Sequence, residues 1–199
     1  MKIRPHFPTL IATGRLPGGA ALNGKLMKDI REFSRSDRMG REWSRENYVG
    51  GYTSYASLSD LHHRTPSFQE LEKRLTPLVA QFGKANGFSA RGMEWKMTAC
   101  WASVMGEGTH HTLHLHPHST VSGVYYVSVP PGSAPLKIED PRMASFMAAP
   151  VRELYELIDP RAGEFVLFES WVRHEVPVNR SKTERICVSF NYSWEQPEI

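Results

Sequence analysis

Histidines are concentrated in one stretch of this 199-residue chain, residues 110–127, which reads HHTLHLHPHSTVSGVYYV. Two of them, His114 and His116, are separated by a single residue in a segment that ends in β-branched and aromatic residues. In an extended strand, side chains at positions i and i+2 point to the same face, so both imidazoles could bind one ion. Neutral imidazole is a common protein ligand for iron, zinc and copper. The spacing predicts a metal site, although such a pair also arises by chance on solvated loops.

A third metal ligand should come from a distant part of the chain, because Pro117 and the polar residues after it end the first strand. His174 is the natural candidate. It begins a predicted strand, and in a jelly roll such a position can lie across the barrel mouth from the histidine pair. The alternative interpretation of an isolated histidine at a strand start is a surface or core residue without a ligand role.

Arg185 adds a requirement of its own, because it leads the apolar segment ICVSF eleven residues after His174. An arginine at the head of a buried strand is destabilising unless its charge is paired. A planar guanidinium fits a carboxylate with two parallel hydrogen bonds. This position therefore favours an anionic ligand close to the predicted metal site.

The second half of the chain has the pattern of short strands. Apolar residues alternate with polar ones from Met93 to Trp101, which predicts a long strand with one bulky apolar face. After it, turns rich in glycine and proline separate the segments GVYYVSV, APLKIED, GEFVLFE, HEVPV and ERICVSFNYSW. Regularly spaced short strands indicate a β-sandwich or barrel, here with helices packed outside it.

The first half predicts two helices. One covers about residues 24–35, and a second begins at Ser67, where Ser67 and Glu70 fit a capping box, and ends at Asn86-Gly87. Pro77 should kink or divide the second helix. Residues 1–19 suit an extended arm or edge strand, and residues 34–55 a polar connection that leads to a short extended piece.

The chain shows no internal repeat and no low-complexity linker, so one domain is expected over residues 1–199. Its arm and helices would occupy residues 1–91 and its β core residues 92–199. The composition also limits the binding partners that can be expected. Lys+Arg 24 against Asp+Glu 21, without a block of five basic residues, gives no reason to expect nucleic acid.

The same composition bounds the location. No apolar run of about 18 residues and no secretory leader are visible, so neither a membrane span nor export is expected, and the expected location is the cytoplasm. There, Cys100 and Cys187 should be reduced core thiols. The extended arm leaves a homodimer possible.

Four motifs together resemble the 2-oxoglutarate–iron(II) oxygenase family found in bacteria and marine phages: HLHPHSTVSGVYYVSVP, IEDPR, GEFVLFESWVRHEVPVN and ERICVSFNYSW. The upstream segments FPTLI and GGYTSYASLSDL are similar to the N-terminal region of that family, so the resemblance covers nearly the whole chain. It implies a mainly β fold with flanking helices, the double-stranded β-helix, which is a cupin-like jelly roll. It also implies a dioxygenase that hydroxylates a substrate while converting 2-oxoglutarate to succinate and CO2.

The resemblance also implies roles for single residues. His114, His116 and His174 are the implied iron(II) ligands, and Arg185 is implied to bind the distal carboxylate of 2-oxoglutarate. Tyr126 resembles the tyrosine that shares this carboxylate with the arginine in related prolyl hydroxylases.

Two neighbours on the same strands have less definite roles. Tyr125 should face the opposite side of the sheet from Tyr126. Ser189 lies four residues after Arg185 and points to the same face, where it either assists in binding the carboxylate or packs.

One departure from the family pattern concerns His116, which occupies the place where these oxygenases usually have an aspartate or glutamate ligand. Three neutral imidazoles leave both positive charges on iron(II), which should favour anionic co-ligands. A three-histidine site still supports oxygen chemistry in some cupins. The other possibility is that Glu139 or Asp140 supplies a carboxylate, although IEDPR also suits a strand end and turn near the site entrance.

The surroundings of the site are expected to come from two loops and several aromatic residues. The loops, residues 106–113 and 140–150, should shape the entrance, and the second offers apolar contacts from Met143, Phe146 and Met147. Histidines on the loops are expected at the rim: His110, His111 and His118. A water-excluding wall is expected from Trp95, Trp101, Phe165 and Phe168, which core packing explains equally well.

Two other functions fit part of the pattern. A cupin-like three-histidine dioxygenase or isomerase that does not use 2-oxoglutarate explains the histidines but leaves Arg185 without a role. A non-enzymatic β-sandwich module with a structural metal would normally need four protein ligands, and no fourth is evident. The substrate, a small molecule or a protein side chain, is not named by any motif.

Overall fold

A computed structural model describes residues 1–88, 94–142, 147 and 153–195 of the protein. These residues contain three α-helices and ten strands: β1 (Ile11–Arg15), α1 (Gly19–Ser36), α2 (Arg38–Asn47), β2 (Gly51–Thr53), α3 (Pro66–Ala85), β3 (Glu94–Met105), β4 (His111–His114), β5 (Val121–Ser128), β6 (Leu136–Glu139), β7 (Tyr155–Ile158), β8 (Glu164–Glu169), β9 (His174–Val176) and β10 (Arg185–Glu195). The predicted mainly β fold with flanking helices is confirmed.

The strands form two sheets in which all the pairs between these strands are antiparallel. The major sheet has six strands in the order β1-β8-β5-β10-β3-β2, and the minor sheet has four in the order β4-β9-β6-β7. The helices α1 and α3 pack on the outer face of the major sheet. The edge strand predicted for residues 1–19 is β1, which pairs with β8.

Strand β5 shows why the segment GVYYV does not alternate between apolar and polar residues. Tyr125 and Val127 face the helices and join their core, whereas Val124 and Tyr126 face the minor sheet and join the core between the sheets. A strand that is buried on both faces has a nearly continuous apolar sequence. Its two faces can then serve different purposes, and only the inner one can contribute to a site between the sheets.

The single apolar face predicted for β3 is wrong beyond Thr98. The partners of Asn191 and Tyr192 on β10 are Ala99 and Met97, so Thr98 is an extra residue in the ladder. Such a bulge reverses which side chains face which side of the sheet. Met97 therefore packs in the helix-facing core, whereas Trp101 points into the space between the sheets.

The N-terminus of α3 also differs from the prediction. The helix begins at Pro66, which suits the first helical position because its missing N–H needs no partner there. Ser67 does not cap the helix, because its hydroxyl donates to Asp29 Oδ2 at 2.6 Å, and Glu70 pairs with Lys25 instead. The capping box is thus wrong, and α3 continues through Pro77 rather than dividing there.

Helix α2 lies inside the region that was predicted as a polar connection. Its N-cap is Asp37, whose Oδ1 accepts from the Gly40 N–H at 2.9 Å and whose Oδ2 accepts from the hydroxyls of Tyr52 (2.9 Å) and Ser57 (2.5 Å). The helix buries only Gly40 and Ser44, so it has almost no apolar stripe for periodicity to detect. The long-range bonds of Asp37 hold α2 against β2, where it forms one wall beside the site described below.

We expect Asp37→Ala to lower the free energy of unfolding by about 1–3 kcal/mol, because it removes a helix cap and two further hydrogen bonds. Urea denaturation measures this change. Glu42→Ala is the matched control on the same helix, since Glu42 makes only an exposed ion pair with Arg38, worth about 0.5 kcal/mol or less. Equal losses in the two variants would contradict the assigned role of Asp37.

Two expectations drawn from composition can be compared with the structure. Cys100 and Cys187 are both buried and free of disulfides, as predicted. None of the helices in the described residues is long and apolar enough to span a membrane.

Candidate functional site

The three histidines predicted as metal ligands lie together at the edge where β4 meets β9. His114 ends β4, His174 begins β9, and the two are paired in the sheet register. His116 lies beyond the end of β4 rather than in an extended strand, and its backbone N–H donates to the Ser170 carbonyl at 3.0 Å. One ligand nitrogen from each histidine lies within 4.8 Å of the others.

Backbone carbonyls orient two of these imidazoles. The Nδ1–H of His114 donates to the Thr112 carbonyl at 2.7 Å, and the Nδ1–H of His174 donates to the Val172 carbonyl at 2.9 Å. A carbonyl can only accept, so Nδ1 carries the proton and the Nε2 lone pair is left for a ligand. This is the usual outer support of a metal-binding histidine.

The spacing of the nitrogens also suits one ion. Nε2 of His116 and Nε2 of His174 are 3.3 Å apart. Two nitrogens that each lie about 2.1 Å from a metal ion at an angle between roughly 90° and 110° are separated by roughly 3.0–3.4 Å. The two rings therefore need little movement to share a metal ion.

Burial keeps the imidazoles of His116 and His174 neutral. It lowers the pKa of His174 to about 3 and that of His116 to about 4, with a further contribution from repulsion by His114. Both are therefore unprotonated at neutral pH, which is the form that binds metal. A site of neutral ligands leaves the full charge of a divalent ion to be balanced by other groups.

The alternative carboxylate ligands are engaged elsewhere. Glu139 pairs with Arg173 at 3.0 Å and Asp140 with Arg142 at 2.7 Å. Within the described part of the chain, the cluster that could hold an ion consists of the three histidines and contains no carboxylate. The structure thus places His116, and neither Glu139 nor Asp140, beside the other two ligands.

Arg185 is buried, with 1% of its surface exposed. Its Nη1 donates to the sulfur atoms of Met105 (2.9 Å) and Cys187 (3.4 Å), which are weak acceptors, and its Nε has no hydrogen-bond partner in the described part of the chain. In the described residues no carboxylate forms an ion pair with it. A buried guanidinium with only sulfur contacts is poorly satisfied and suits a bound anion.

Tyr126 adds a second donor beside the guanidinium. Its ring centroid is 5.1 Å from the guanidinium carbon of Arg185, and its buried hydroxyl donates to no acceptor among the described residues. Burial raises its pKa to about 12, so the phenol keeps its proton and can donate. Tyr125, as predicted, points to the other face of the sheet, where its hydroxyl donates to Asn23 Oδ1 at 2.6 Å.

One cavity joins the three histidines to Arg185. It has about 510 Å³ of empty volume, and its lining includes Arg185, Ser189 and the three histidines, with apolar surface from Leu136 and Val176. Ser189 thus lies on the same face as Arg185, as predicted from its spacing. A cavity with a metal-ligand cluster, an unpaired guanidinium and an apolar lining suits a short anion that also binds a metal.

The expectations for the surrounding residues are partly wrong. His111 is not a rim loop residue, because it belongs to β4 and lines the cavity. Trp101 and Phe168 are near the histidines, with ring centroids 5.6 Å from His116 and 4.6 Å from His174 respectively. The other two aromatic residues lie elsewhere: Phe165 in the helix-facing core and Trp95 stacked on Trp194.

A wider cleft of about 1350 Å³ opens beside the cavity and shares His111, His114, His116 and Trp101 with it. The predicted entrance loop at residues 106–113 contributes to its lining. The other walls were not predicted from the sequence, namely Trp43 and Tyr48 of the α2 region, Tyr55, and Leu115. The prediction for residues 140–150 falls mostly outside the described residues, which exclude Met143 and Phe146; Met147 is exposed, and so is His118.

Residues 99–191 match the family model described as "Putative 2OG-Fe(II) oxygenase". The chain carries a 2OG-Fe(II) oxygenase domain. The matched segment holds every residue that the sequence predicted for the site. Iron(II) and 2-oxoglutarate are the cofactor and co-substrate of this enzyme family. The match agrees with the cluster of three histidines and with the buried arginine in the same cavity. No curated protein sequence matches the chain.

Solved structures with low sequence identity share the fold of this oxygenase, which confirms the double-stranded β-helix. A prolyl-4-hydroxylase of Pseudomonas putida is 15% identical with a TM-score of 0.63, over 96% of this chain and 94% of that one. HygX of Streptomyces hygroscopicus, solved with nickel, 2-oxoglutarate and hygromycin B, is 11% identical with a TM-score of 0.62, over 93% and 83%. A 2OG-Fe(II) oxygenase family protein of Burkholderia pseudomallei is 17% identical with a TM-score of 0.50, and the match covers 66% of this chain but only 58% of that protein.

Proposed function

We propose that this oxygenase hydroxylates a substrate bound in the wider cleft while it converts 2-oxoglutarate to succinate and CO2. The observation that carries the proposal is the single cavity lined by three imidazoles and by an arginine that has no acidic partner among the described residues. A 2-oxo acid with a second carboxylate suits such a cavity, because its 2-oxo acid end can bind the metal and its second carboxylate can pair with the arginine. In the overall reaction one oxygen atom of O2 enters the succinate and the other the hydroxylated product.

The proposed roles follow from the geometry of each side chain. His114, His116 and His174 would hold iron(II) through Nε2, and the metal would supply the activation of dioxygen. Arg185 and Tyr126 would donate hydrogen bonds to the distal carboxylate of 2-oxoglutarate. These charge-assisted bonds would seat the co-substrate and satisfy donors that are otherwise unpaired.

Ser189 and the apolar part of the cavity would complete the co-substrate site. The Ser189 hydroxyl lies on the same face as Arg185 and is proposed to assist the carboxylate. Leu136 and Val176 would cover the methylene groups between the two carboxylates. Phe168 and Trp101 pack against the histidine cluster and would exclude water from it.

The substrate would enter through the wider cleft, which holds exposed apolar side chains of Trp43, Tyr55 and Leu115. Exposed apolar groups that line one concave surface are typical of a ligand site. HygX was solved with hygromycin B, and a prolyl hydroxylase of Trichoplax adhaerens of similar fold was solved with a peptide fragment. The proposed substrate is therefore either a small molecule or a protein side chain.

Anaerobic titration of the protein with iron(II) and then 2-oxoglutarate tests the proposal. Chelation of the metal by the 2-oxo acid should produce a weak visible charge-transfer band, which saturates at one equivalent. Admission of oxygen should then release succinate, even slowly and without substrate. Stoichiometric iron binding without any effect of 2-oxoglutarate would instead favour the three-histidine cupin-like enzyme.

His116→Asp is expected to retain iron(II) binding, because it places a carboxylate ligand where most related oxygenases have one. The anionic ligand offsets one charge of the metal, so turnover of 2-oxoglutarate to succinate should be equal to or faster than in the parent. Iron stoichiometry and succinate release measure the two effects. Complete loss of the metal would show that position 116 does not face it.

Three less direct features are also part of the proposal. We propose a cytoplasmic location, which two free buried thiols support, and a single domain, which the packing of α1 and α3 on the major sheet supports. A homodimer through the N-terminal arm is supported by its exposed apolar residues Ile3 and Phe7. Sedimentation of the full chain and of a variant with Ile3→Ser and Phe7→Ser tests the dimer.

A further inference from the structure

Tyr48, which follows the last residue of α2, carries a buried phenol that the roles assigned so far do not use. Its side chain is 3% exposed, and among the described residues its hydroxyl has no partner at hydrogen-bond geometry. Ser103 is near enough for a weak interaction with the phenol, but the Ser103 hydroxyl donates its proton to Thr53 Oγ1 at 3.3 Å. A buried, unpaired hydroxyl costs about 1–3 kcal/mol, so a missing partner is the simplest explanation.

The surroundings of Tyr48 show which partner would satisfy it. The residue lies in the core between the two sheets, together with Tyr126 and Cys187. Its ring lies against Gly51, which pairs with Met105 across the major sheet, and Met105 in turn pairs with Arg185 and accepts a hydrogen bond from its Nη1. Burial raises the pKa of Tyr48 above its usual value, so the group remains a donor. Three buried donors without acceptors therefore occur in one region: Tyr48 Oη, Tyr126 Oη and Arg185 Nε.

The number of donors matches one carboxylate. Two carboxylate oxygens offer about four acceptor positions, enough for the guanidinium and for both phenols. A neutral acceptor such as a water molecule would satisfy fewer of them and would leave the charge of Arg185 unbalanced. The charge and the number of donors both favour a carboxylate at this place.

The backbone around Tyr48 is built to hold the ring in this position. Its N–H donates to the Ser44 carbonyl at 2.9 Å, and its carbonyl accepts from the Gly51 N–H at 3.0 Å. Gly51 leaves room for the ring, since a Cβ there would lie 2.8 Å from Tyr48 Cε1. The ring also packs on His111 at 4.5 Å between centroids, and His111 lines the cavity that holds the metal ligands.

We infer that Tyr48 is a further 2-oxoglutarate-binding residue, whose phenol donates to the distal carboxylate beside Arg185 and Tyr126. The inference rests on the proposed function and adds a residue from outside the segment that matches the oxygenase family. It also assigns a purpose to α2, which would close the co-substrate site from the helical half of the chain.

Tyr48→Phe tests this inference, because it removes one oxygen atom and keeps the ring. We expect the dissociation constant of 2-oxoglutarate, measured by anaerobic titration of the iron(II) protein, to rise roughly 10-fold or more. The affinity for 2-oxobutanoate, which lacks the distal carboxylate, and the affinity for iron(II) should stay the same. A merely structural role of Tyr48 would weaken both 2-oxo acids equally, and that result would overturn the inference.

Two matched controls accompany the variant. Tyr192→Phe removes a buried phenol on the other face of the major sheet, where it bonds to Thr76, and Ser103→Ala removes the neighbour of Tyr48. Neither should change the affinity for 2-oxoglutarate. An effect of Ser103→Ala as large as that of Tyr48→Phe would indicate that the Tyr48 hydroxyl is bonded to Ser103 rather than to 2-oxoglutarate, and it would contradict the inference.

Failure of the inference and failure of the proposed function give different results. A parent protein that does not bind 2-oxoglutarate contradicts the proposed function, whereas equal affinity in the parent and in Tyr48→Phe contradicts only the role of Tyr48. Should Tyr48→Phe not fold, Tyr126→Phe loaded with zinc answers the question, because Tyr48 is then the phenol that the inference places at the distal carboxylate. Addition of 2-oxoglutarate should perturb the near-ultraviolet absorption of the tyrosines more than addition of 2-oxobutanoate does, and equal spectra would overturn the inference.

Discussion

Replacement of His174 by alanine is expected to abolish stoichiometric iron(II) binding while the protein stays folded. His174 is the proposed ligand that joins the two halves of the site, since it comes from β9 and pairs in register with His114 of β4. Loss of an outer-shell partner alone lowers metal affinity about 10–100-fold, so loss of one of three direct ligands should lower it further. Anaerobic equilibrium dialysis with iron(II) measures the affinity.

The fold should survive this change because the removed ring lines an existing cavity. His174 is 5% exposed and packs on Phe168, so a modest loss of stability is expected, which urea denaturation will show. His114→Ala should have the same effect on iron. His118→Ala is the matched control from the same histidine-rich stretch, because His118 is exposed and outside the cluster. If His174→Ala or His114→Ala binds iron like the parent, that residue is not a ligand.

Arg185→Ala is expected to weaken 2-oxoglutarate binding by roughly two orders of magnitude while iron affinity changes little. The reason is the loss of charge-assisted, two-pronged hydrogen bonds to a carboxylate in a buried site, which are worth about 3 kcal/mol together. Removal of one partner of a buried ion pair usually destabilises a protein because the other charge is stranded. Arg185 forms no ion pair with a carboxylate among the described side chains, and its hydrogen bonds there go to sulfur atoms, so that cost should be absent.

Arg185→Lys should recover only part of the affinity, since an ammonium cannot reproduce the geometry of the guanidinium. The charge-transfer titration gives the dissociation constants, and 2-oxobutanoate is again the control ligand, because its affinity should not depend on Arg185. Equal affinity for 2-oxoglutarate in the parent and in Arg185→Ala would remove this residue from the site. The three-histidine enzyme without 2-oxoglutarate would then become the better interpretation.

The sequence alone was sufficient for the parts of the site that depend on position along a strand. The face of a strand alternates with each residue, so the separation of Tyr126 from Tyr125 and the alignment of Ser189 with Arg185 could be read directly from residue numbers. The charge of Arg185 at the head of an apolar segment likewise predicted a bound anion, because a buried guanidinium needs a paired charge at any position of its strand in the fold. These inferences needed only local geometry and the cost of burying a charge.

Other features depended on which distant segments meet. The extra residue at Thr98 became visible only from the pairing of β3 with β10, and it decides that Trp101 rather than Met97 faces the site. His111 and Tyr48 look like loop residues in the sequence, because nothing near them indicates that the Tyr48 ring packs on His111 of β4. Helix α2 itself has almost no apolar stripe and is held by the long-range bonds of Asp37.

The sequence by itself thus indicated the residues of the candidate site: the histidines and the arginine from residue type and strand parity, which are local properties, and Tyr126 from the resemblance to the oxygenase family. The tertiary structure alone decided that the three histidines converge on one point, that Arg185 has no acidic partner among the described residues, and that Tyr48 lies in the same core as Tyr126. Convergence depends on sheet register and helix packing between segments far apart in the chain. Those are set by the sum of many weak contacts, which no single motif contains.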